Sequence, residues 1–163
     1  AATPVFVPPD RLFVASGYGV GSAMLQIRTD GEGARADRLW TSRELENQFS
    51  STILHQGFLY GFDNAIFMCV DASTGERLWR TRGFGHGSLI FADDRLIVLS
   101  DRGSLALVQP SPGEYLELSR FQALDGKAWT MPTLANGILY LRNEREAVAF
   151  DLRDAPGPAP SAR

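Results

Sequence analysis

The stretch C-V-D-A-S-T-G-E-R-L-W, Cys69 to Trp79, decides how the rest of the chain is read. Phe67 to Val70 has the composition of a strand, with a β-branched residue and large apolar side chains close together. Asp71 to Gly75 predicts a tight turn: an Asp carboxylate bonds backbone amides two residues on, and Gly75 accepts positive φ without a steric cost. Arg77 to Thr81 predicts the returning strand. It carries Trp79, a side chain large enough to fill a gap between two sheets.

The chain repeats this hairpin in degraded form. Trp40 and Trp79 lie 39 residues apart, and a further 39 leads to Leu118. On that count L-W-T-S, L-W-R-T and E-L-S-R hold equivalent places, with Leu118 standing where tryptophan is expected. A second landmark is a short apolar run after a turn: D-R-L-F-V at Asp10, G-F-L-Y-G at Gly57, D-R-L-I-V at Asp94 and G-I-L-Y-L at Gly137. Its leucines, Leu12, Leu59, Leu96 and Leu139, are spaced by 47, 37 and 43 residues. Several short strands in a unit of about 40 residues imply a propeller or solenoid.

Composition narrows the function. A hydrophobic share of 44% over 163 residues is enough for a packed core and too much for disorder. A net charge of −3 argues against a nucleic-acid surface, which needs a basic patch. Cys69 is the only cysteine, so neither an internal disulfide nor a thiolate cluster can form. No apolar run approaches a membrane span, so the chain is not expected to be transmembrane. The first residues, A-A-T-P-V-F-V, begin within a strand-like segment and show no signal pattern. They read as part of a longer protein.

Four units follow, at about residues 1–45, 46–84, 85–124 and 125–152. The first has strands at Val5–Val7, Leu12–Ser16, Ala23–Arg28 and Arg38–Ser42, with T-D-G-E-G as a turn. The second has Ser51–His55, Phe58–Phe62, Ile66–Asp71 and Arg77–Thr81. The third has Ser88–Ala92, Arg95–Ser100, Ser104–Gln109 and Tyr115–Gln122, with P-S-P-G in place of the Asp turn. The fourth has Thr130–Ala135, Ile138–Arg142 and Ala147–Asp151, and no fourth strand. Glu44 to Asn47 has the makings of one helical turn. Residues 153–163 are proline-rich, carry no large apolar side chain and are expected to be disordered. The fold class is therefore all-β: a β-propeller of about four blades of four antiparallel strands, the last incomplete.

The Cys69–Trp79 hairpin resembles the tryptophan-docking motif of the eight-bladed pyrroloquinoline-quinone-type (PQQ-type) propellers, matching at Cys69, Asp71, Thr74, Gly75 and Trp79. A wider likeness covers residues 4–152. N-Q-F-S-S, G-F-L-Y-G-F-D, G-S-L-I-F-A-D-D-R-L-I-V-L-S-D-R-G-S-L-A-L-V, F-Q-A-L-D-G-K-A-W-T-M-P and L-A-N-G-I-L-Y-L-R-N resemble the carboxyl-terminal half of bacterial PQQ-binding-like β-propeller repeat proteins. Those are related to the propeller lipoprotein of the outer-membrane β-barrel assembly machinery. The resemblance implies half of an eight-bladed ring in the periplasm or cell envelope. It also implies that further blades or a second copy cover the two open faces, because such faces would expose more apolar area than a soluble monomer tolerates. Trp40 and Trp79 become wedges between neighbouring blades.

Two sets of equivalent positions are candidates for binding. Phe49, His86 and Trp129 each lie eight residues before the turn residues Gly57, Asp94 and Gly137. Asn47 and Lys127 lie ten before theirs. All precede the first strand of a blade, which in a propeller lines the central channel, so they gather at one channel mouth. They form either a packed plug of loop side chains or a small-ligand or peptide site. Asp71, Asp93, Asp94 and Asp101 read as turn formers, and Arg142, Arg145 and Arg153 as solvated. His55 and His86 are the only histidines, and neither has the spacing of a metal ligand. G-Y-G-V-G at Gly17 precedes no helix and is not a phosphate loop. Two functions stay open. One is a non-catalytic scaffold, with no cofactor, binding a protein or peptide such as an outer-membrane assembly component, by its loops or by strand addition. The other is part of a dehydrogenase oxidising an alcohol or sugar with PQQ and Ca²⁺, which needs a carboxylate base and oxygen ligands.

Overall fold

The computed structural model describes residues 2–31 and 33–153. They form four antiparallel sheets and no helix. The first contains β1 (Val5–Val7), β2 (Arg11–Ser16), β3 (Gly21–Asp30) and β4 (Gly33–Ser42). The second contains β5 (Ile53–His55), β6 (Phe58–Asp63), β7 (Ile66–Asp71) and β8 (Arg77–Thr81). The third contains β9 (Ser88–Ala92), β10 (Arg95–Leu99), β11 (Ser104–Gln109) and β12 (Leu116–Gln122), and the fourth β13 (Thr133–Ala135), β14 (Ile138–Arg142) and β15 (Ala147–Asp151). Every sheet runs in chain order, each strand paired to the next. These are propeller blades, and among the described residues the fourth has three strands.

Strand alternation explains why the sheets stack face to face. Successive side chains leave opposite faces of a strand, and here both faces of the middle blades are apolar. Leu96 and Val98 of β10 join Ala106 and Val108 in a core shared with Tyr60, Phe62, Phe67 and Cys69 of the second blade. Their neighbours Ile97 and Leu99, with Leu105, point the other way and meet Leu139 and Leu141 of the fourth. Between the first and second blades, Phe13 and Met24 meet Leu59, Met68 and Val70. Three apolar layers thus lie between four sheets. Strands buried on both faces read as continuous apolar runs, as in F-M-C-V and L-I-V-L.

Tryptophans close the outer part of two of these layers. Trp40 Nε1 donates to the carbonyl of Ala72 in the second blade at 3.1 Å. Trp79 Nε1 donates to the carbonyl of Ser111 in the third at 2.7 Å. Both acceptors lie in the turn between the third and fourth strands of the next blade. That turn has the chemistry its sequence predicts: Asp71 Oδ1 accepts the amides of Ser73 (2.7 Å) and Thr74 (3.2 Å). The hydroxyl and amide of Ser73, with the Thr74 amide, hold the Asp71 carboxyl below the usual carboxylate range.

Four local readings are corrected. First, the tryptophan position in the third blade is Ser119, not Leu118. Trp40 faces Met24 and Trp79 faces Cys69, each next to a bulge that ejects the preceding leucine, and β12 places Ser119 opposite Leu107 with the same bulge beside it. Leu39, Leu78 and Leu118 are the ejected residues, 44%, 41% and 51% exposed. Second, β3 and β4 pair as far as Asp30 and Gly33, well past the predicted ends. The extension has an exposed β4 side and is tied by Arg28–Asp37 at 2.8 Å. Third, Glu44 to Asn47 is not a helical turn: Leu45 takes φ of 58° and is fully buried in the first interblade core. Fourth, Ser51–Thr52 and Thr130–Pro132 precede their strands as loop rather than joining them. The expected disordered tail lies, from residue 154 onward, outside the described residues.

Cys69 sits at 0% exposure in the second layer. Burial pushes its thiol up to about 11 despite the hydrogen bond with Tyr60. The thiolate is the reactive form, so both chemistry and access are suppressed. Disulfide reagents at pH 8 are expected to label the native protein at least about a thousandfold more slowly than the urea-unfolded chain. Labelling at the rate of an exposed cysteine would refute this packing.

Candidate functional site

Three loops of equivalent position converge: the one before β5 carries Phe49, the one before β9 His86, and the one before β13 Lys127 and Trp129. The rings of Phe49 and Trp129 stack with centroids 5.1 Å apart and planes 19° from parallel. His86 meets Phe49 edge-on at 6.5 Å. Lys127 Nζ lies 3.3 Å above the Trp129 ring, a cation–π contact. Residues 80 positions apart in sequence are therefore in direct contact, drawn from the second and fourth blades across the third. Phe49 and Trp129 are each 49% exposed.

Asn47 does not join this group. It is 2% exposed, and its Nδ2 donates to Thr52 Oγ1 at 2.5 Å. Its amide bonds the carbonyl of Leu45, so it braces the loop from within. Asn47 and Lys127 share a sequence place but not an environment.

Each converging loop is pinned by a polar residue after the second strand of its own blade. In the second blade Asn64 donates from its amide and Nδ2 to the carbonyl and carboxylate of Glu46, and its Oδ1 accepts from Gln48 at 2.7 Å. In the third, the Asp101 carboxylate accepts the His86 amide at 3.0 Å and the Asp101 amide bonds the Phe84 carbonyl. The Asp101 carbonyl also accepts the Ala128 amide at 2.8 Å, so one residue fixes the loops of His86 and Trp129 together. In the fourth, Asn143 Nδ2 donates to the Asp125 carbonyl at 2.7 Å. Gly85 has φ of 59°, and a Cβ there would lie 2.1 Å from the Asp101 carboxylate. Only glycine lets the loop approach that closely.

Asp101 is thus more than a turn former, and the signal for it was the place it shares with Asn64, each seven residues after the turn residues Asp94 and Gly57; Asn143 lies six after Gly137. Sequence reading also missed Arg142, Asn143 and Glu144, which with Lys127, Trp129 and Thr130 line an open hollow of about 220 Å³. Asp101 and Arg102 line another beside Gly126, Lys127 and Trp129. Chemically the site offers flat aromatic area, one ammonium and flanking groups of both signs. Among the described residues no three or more His, Cys, Asp or Glu side chains gather where they could hold a metal ion. Nor is any helix there long and apolar enough to cross a membrane.

The family model for outer membrane protein assembly factor BamB matches residues 1–81 and again 69–156. Among solved structures, the chain is similar to BamB from Moraxella catarrhalis, with TM-score 0.64 and 19% identity over 91% of this chain and 41% of that one. It is similar also to the computationally designed Ika8 protein, with TM-score 0.58 and 11% identity over 85% of this chain and 41% of that one. At these identities the likeness is one of fold. The chain spans about two fifths of the length of both. No curated protein matches it significantly.

Proposed function

This chain belongs to the outer membrane protein assembly factor BamB family, and we propose that it is part of a non-catalytic β-propeller scaffold in the periplasm or cell envelope, binding a protein or peptide at the Phe49–His86–Trp129 mouth. The observation that carries the reading is the half-exposed Phe49–Trp129 stack capped by Lys127. Exposed aromatic area beside a few charged groups is the composition of a protein-binding hot spot. The Asp101 clamp holds the loops in place before a partner arrives, which lowers the ordering cost of binding. The family supports an outer-membrane assembly component as that partner. The open edge of β15 offers strand addition as a second mode of contact.

The dehydrogenase alternative asks for a carboxylate base and a set of oxygen ligands beside PQQ and Ca²⁺. At the mouth Asp101 is engaged with the His86 amide, and among the described residues no three or more His, Cys, Asp or Glu side chains gather where they could hold a metal ion.

A photo-crosslinking amino acid at Phe49, in the full-length protein in its own cells, is expected to capture a component of the outer-membrane assembly machinery. Trp129→Ala and Lys127→Ala should each cut the yield about tenfold, the loss of one hot-spot contact. Capture unchanged by both substitutions, or no capture of any such component, would defeat the proposal.

A further inference from the structure

We propose that the gap between the third and fourth blades, where the chain carries Ser119 in place of a docking indole, is a binding site for a small planar aromatic molecule bearing one N–H. The first two interblade layers are each plugged by an indole of the chain itself. The third is not. Leu107 faces Ser119 in the place where Met24 faces Trp40 and Cys69 faces Trp79. What remains is an apolar cavity of about 200 Å³. Ile97, Leu105, Leu107, Phe121, Leu139 and Leu152 line it.

The acceptor for the N–H is also kept. Ala72, whose carbonyl holds Trp40, donates its own amide to Gly57 at 3.0 Å. Leu152 donates its amide to Gly137 at 2.8 Å. Gly57 and Gly137 hold equivalent turn positions, so Leu152 is the fourth-blade counterpart of Ala72. Its carbonyl takes the place of the indole acceptor.

The walls are those of an unfilled site. Ala72 is 4% exposed, whereas Leu152 is 52% and Phe121 47% exposed. Phe121 meets Phe150 edge-on at 5.4 Å and lines the cavity, where its ring is available to a flat ligand. An apolar cavity of about 150 Å³ already suffices to bind benzene from water. An indole adds a second ring and a hydrogen bond.

The probe is indole itself, titrated into the 163-residue chain with labelled methyl groups. Binding with a Kd of about 0.1–1 mM is expected for a ligand of this size. Shifts should fall on the methyls of Ile97, Leu107, Leu139 and Leu152. 1-Methylindole, which lacks the donor, should bind about fivefold more weakly. Ser119→Trp should abolish binding and raise the urea midpoint, whereas Ser119→Ala should bind as the native chain does. No saturable shift, shifts on Leu89 and Val98 in the plugged second layer instead, or undiminished binding by Ser119→Trp would each overturn the assignment. Equal binding of 1-methylindole would overturn the role of the Leu152 carbonyl.

Discussion

Trp79→Ala is expected to lower the free energy of unfolding by about 3–5 kcal/mol, the usual cost of truncating a packed tryptophan. The indole lies among Tyr60, Phe67 and Tyr115, with centroid separations of 6.1, 5.5 and 5.8 Å. Tilted and edge-on pairs of this kind add stabilisation beyond the area they bury. Its N–H also holds the Ser111 carbonyl, and thereby the turn of the next blade. Removal leaves a cavity that the surrounding strands cannot close, because Phe67 and Cys69 are fixed by the hydrogen bonds of β7 to both neighbours. Domains of this size are stable by only about 5–15 kcal/mol, so the loss is a large fraction of the total. Leu78→Ala, one residue earlier and ejected on the bulge, should cost under about 1 kcal/mol. Urea denaturation of both variants makes the comparison. A Trp79→Ala midpoint equal to that of Leu78→Ala would mean that the indole is no wedge.

What could be read from the residues was whatever is settled locally or repeats. The Asp71–Gly75 turn is decided by the chemistry of five neighbours, and the two-faced apolar runs of the middle blades follow from strand alternation. Counting eight residues back from each turn brought Phe49, His86 and Trp129 to one place because the loops between are of matched length. Counting 39 from Trp79 failed by one residue. The hairpin around P-S-P-G, where Val108 pairs with Glu117, is two residues longer than that around D-A-S-T-G, where Val70 pairs with Arg77, while the step from Cys69 to Leu107 is 38; a fixed period cannot see such offsets. The β3–β4 extension was invisible for a different reason: its outer half buries no face, so no hydrophobic pattern marks it. Asn47 shows the same limit in a loop, where burial depends on Thr52 and Leu45 rather than on its own identity. Asp101 was legible as a turn residue, while its second role needed the His86 amide in space.

Gly75→Ala is the second substitution with a large expected effect, and it tests the wedge from the opposite side. Gly75 takes φ of 77°, and a Cβ there would stand 2.7 Å from Cε3 and 2.9 Å from Cδ2 of Trp40. Two costs follow. The left-handed backbone is strained for any residue with a Cβ, by about 1–2 kcal/mol. The added methyl also displaces the indole from the turn on which it lies, an overpacking cost of about 1–3 kcal/mol. The total expected loss is about 2–5 kcal/mol. The two costs separate in a double-mutant cycle. With Trp40→Ala in the background the clash is gone and only the backbone strain remains, so Gly75→Ala should then cost about 1–2 kcal/mol. The difference between the two backgrounds measures the contact between glycine and indole across the blade boundary. If Gly75→Ala costs the same with and without the Trp40 side chain, the ring does not rest on the turn. The docking geometry described for the first layer, and with it the vacancy assigned to the third, would then lose its reference.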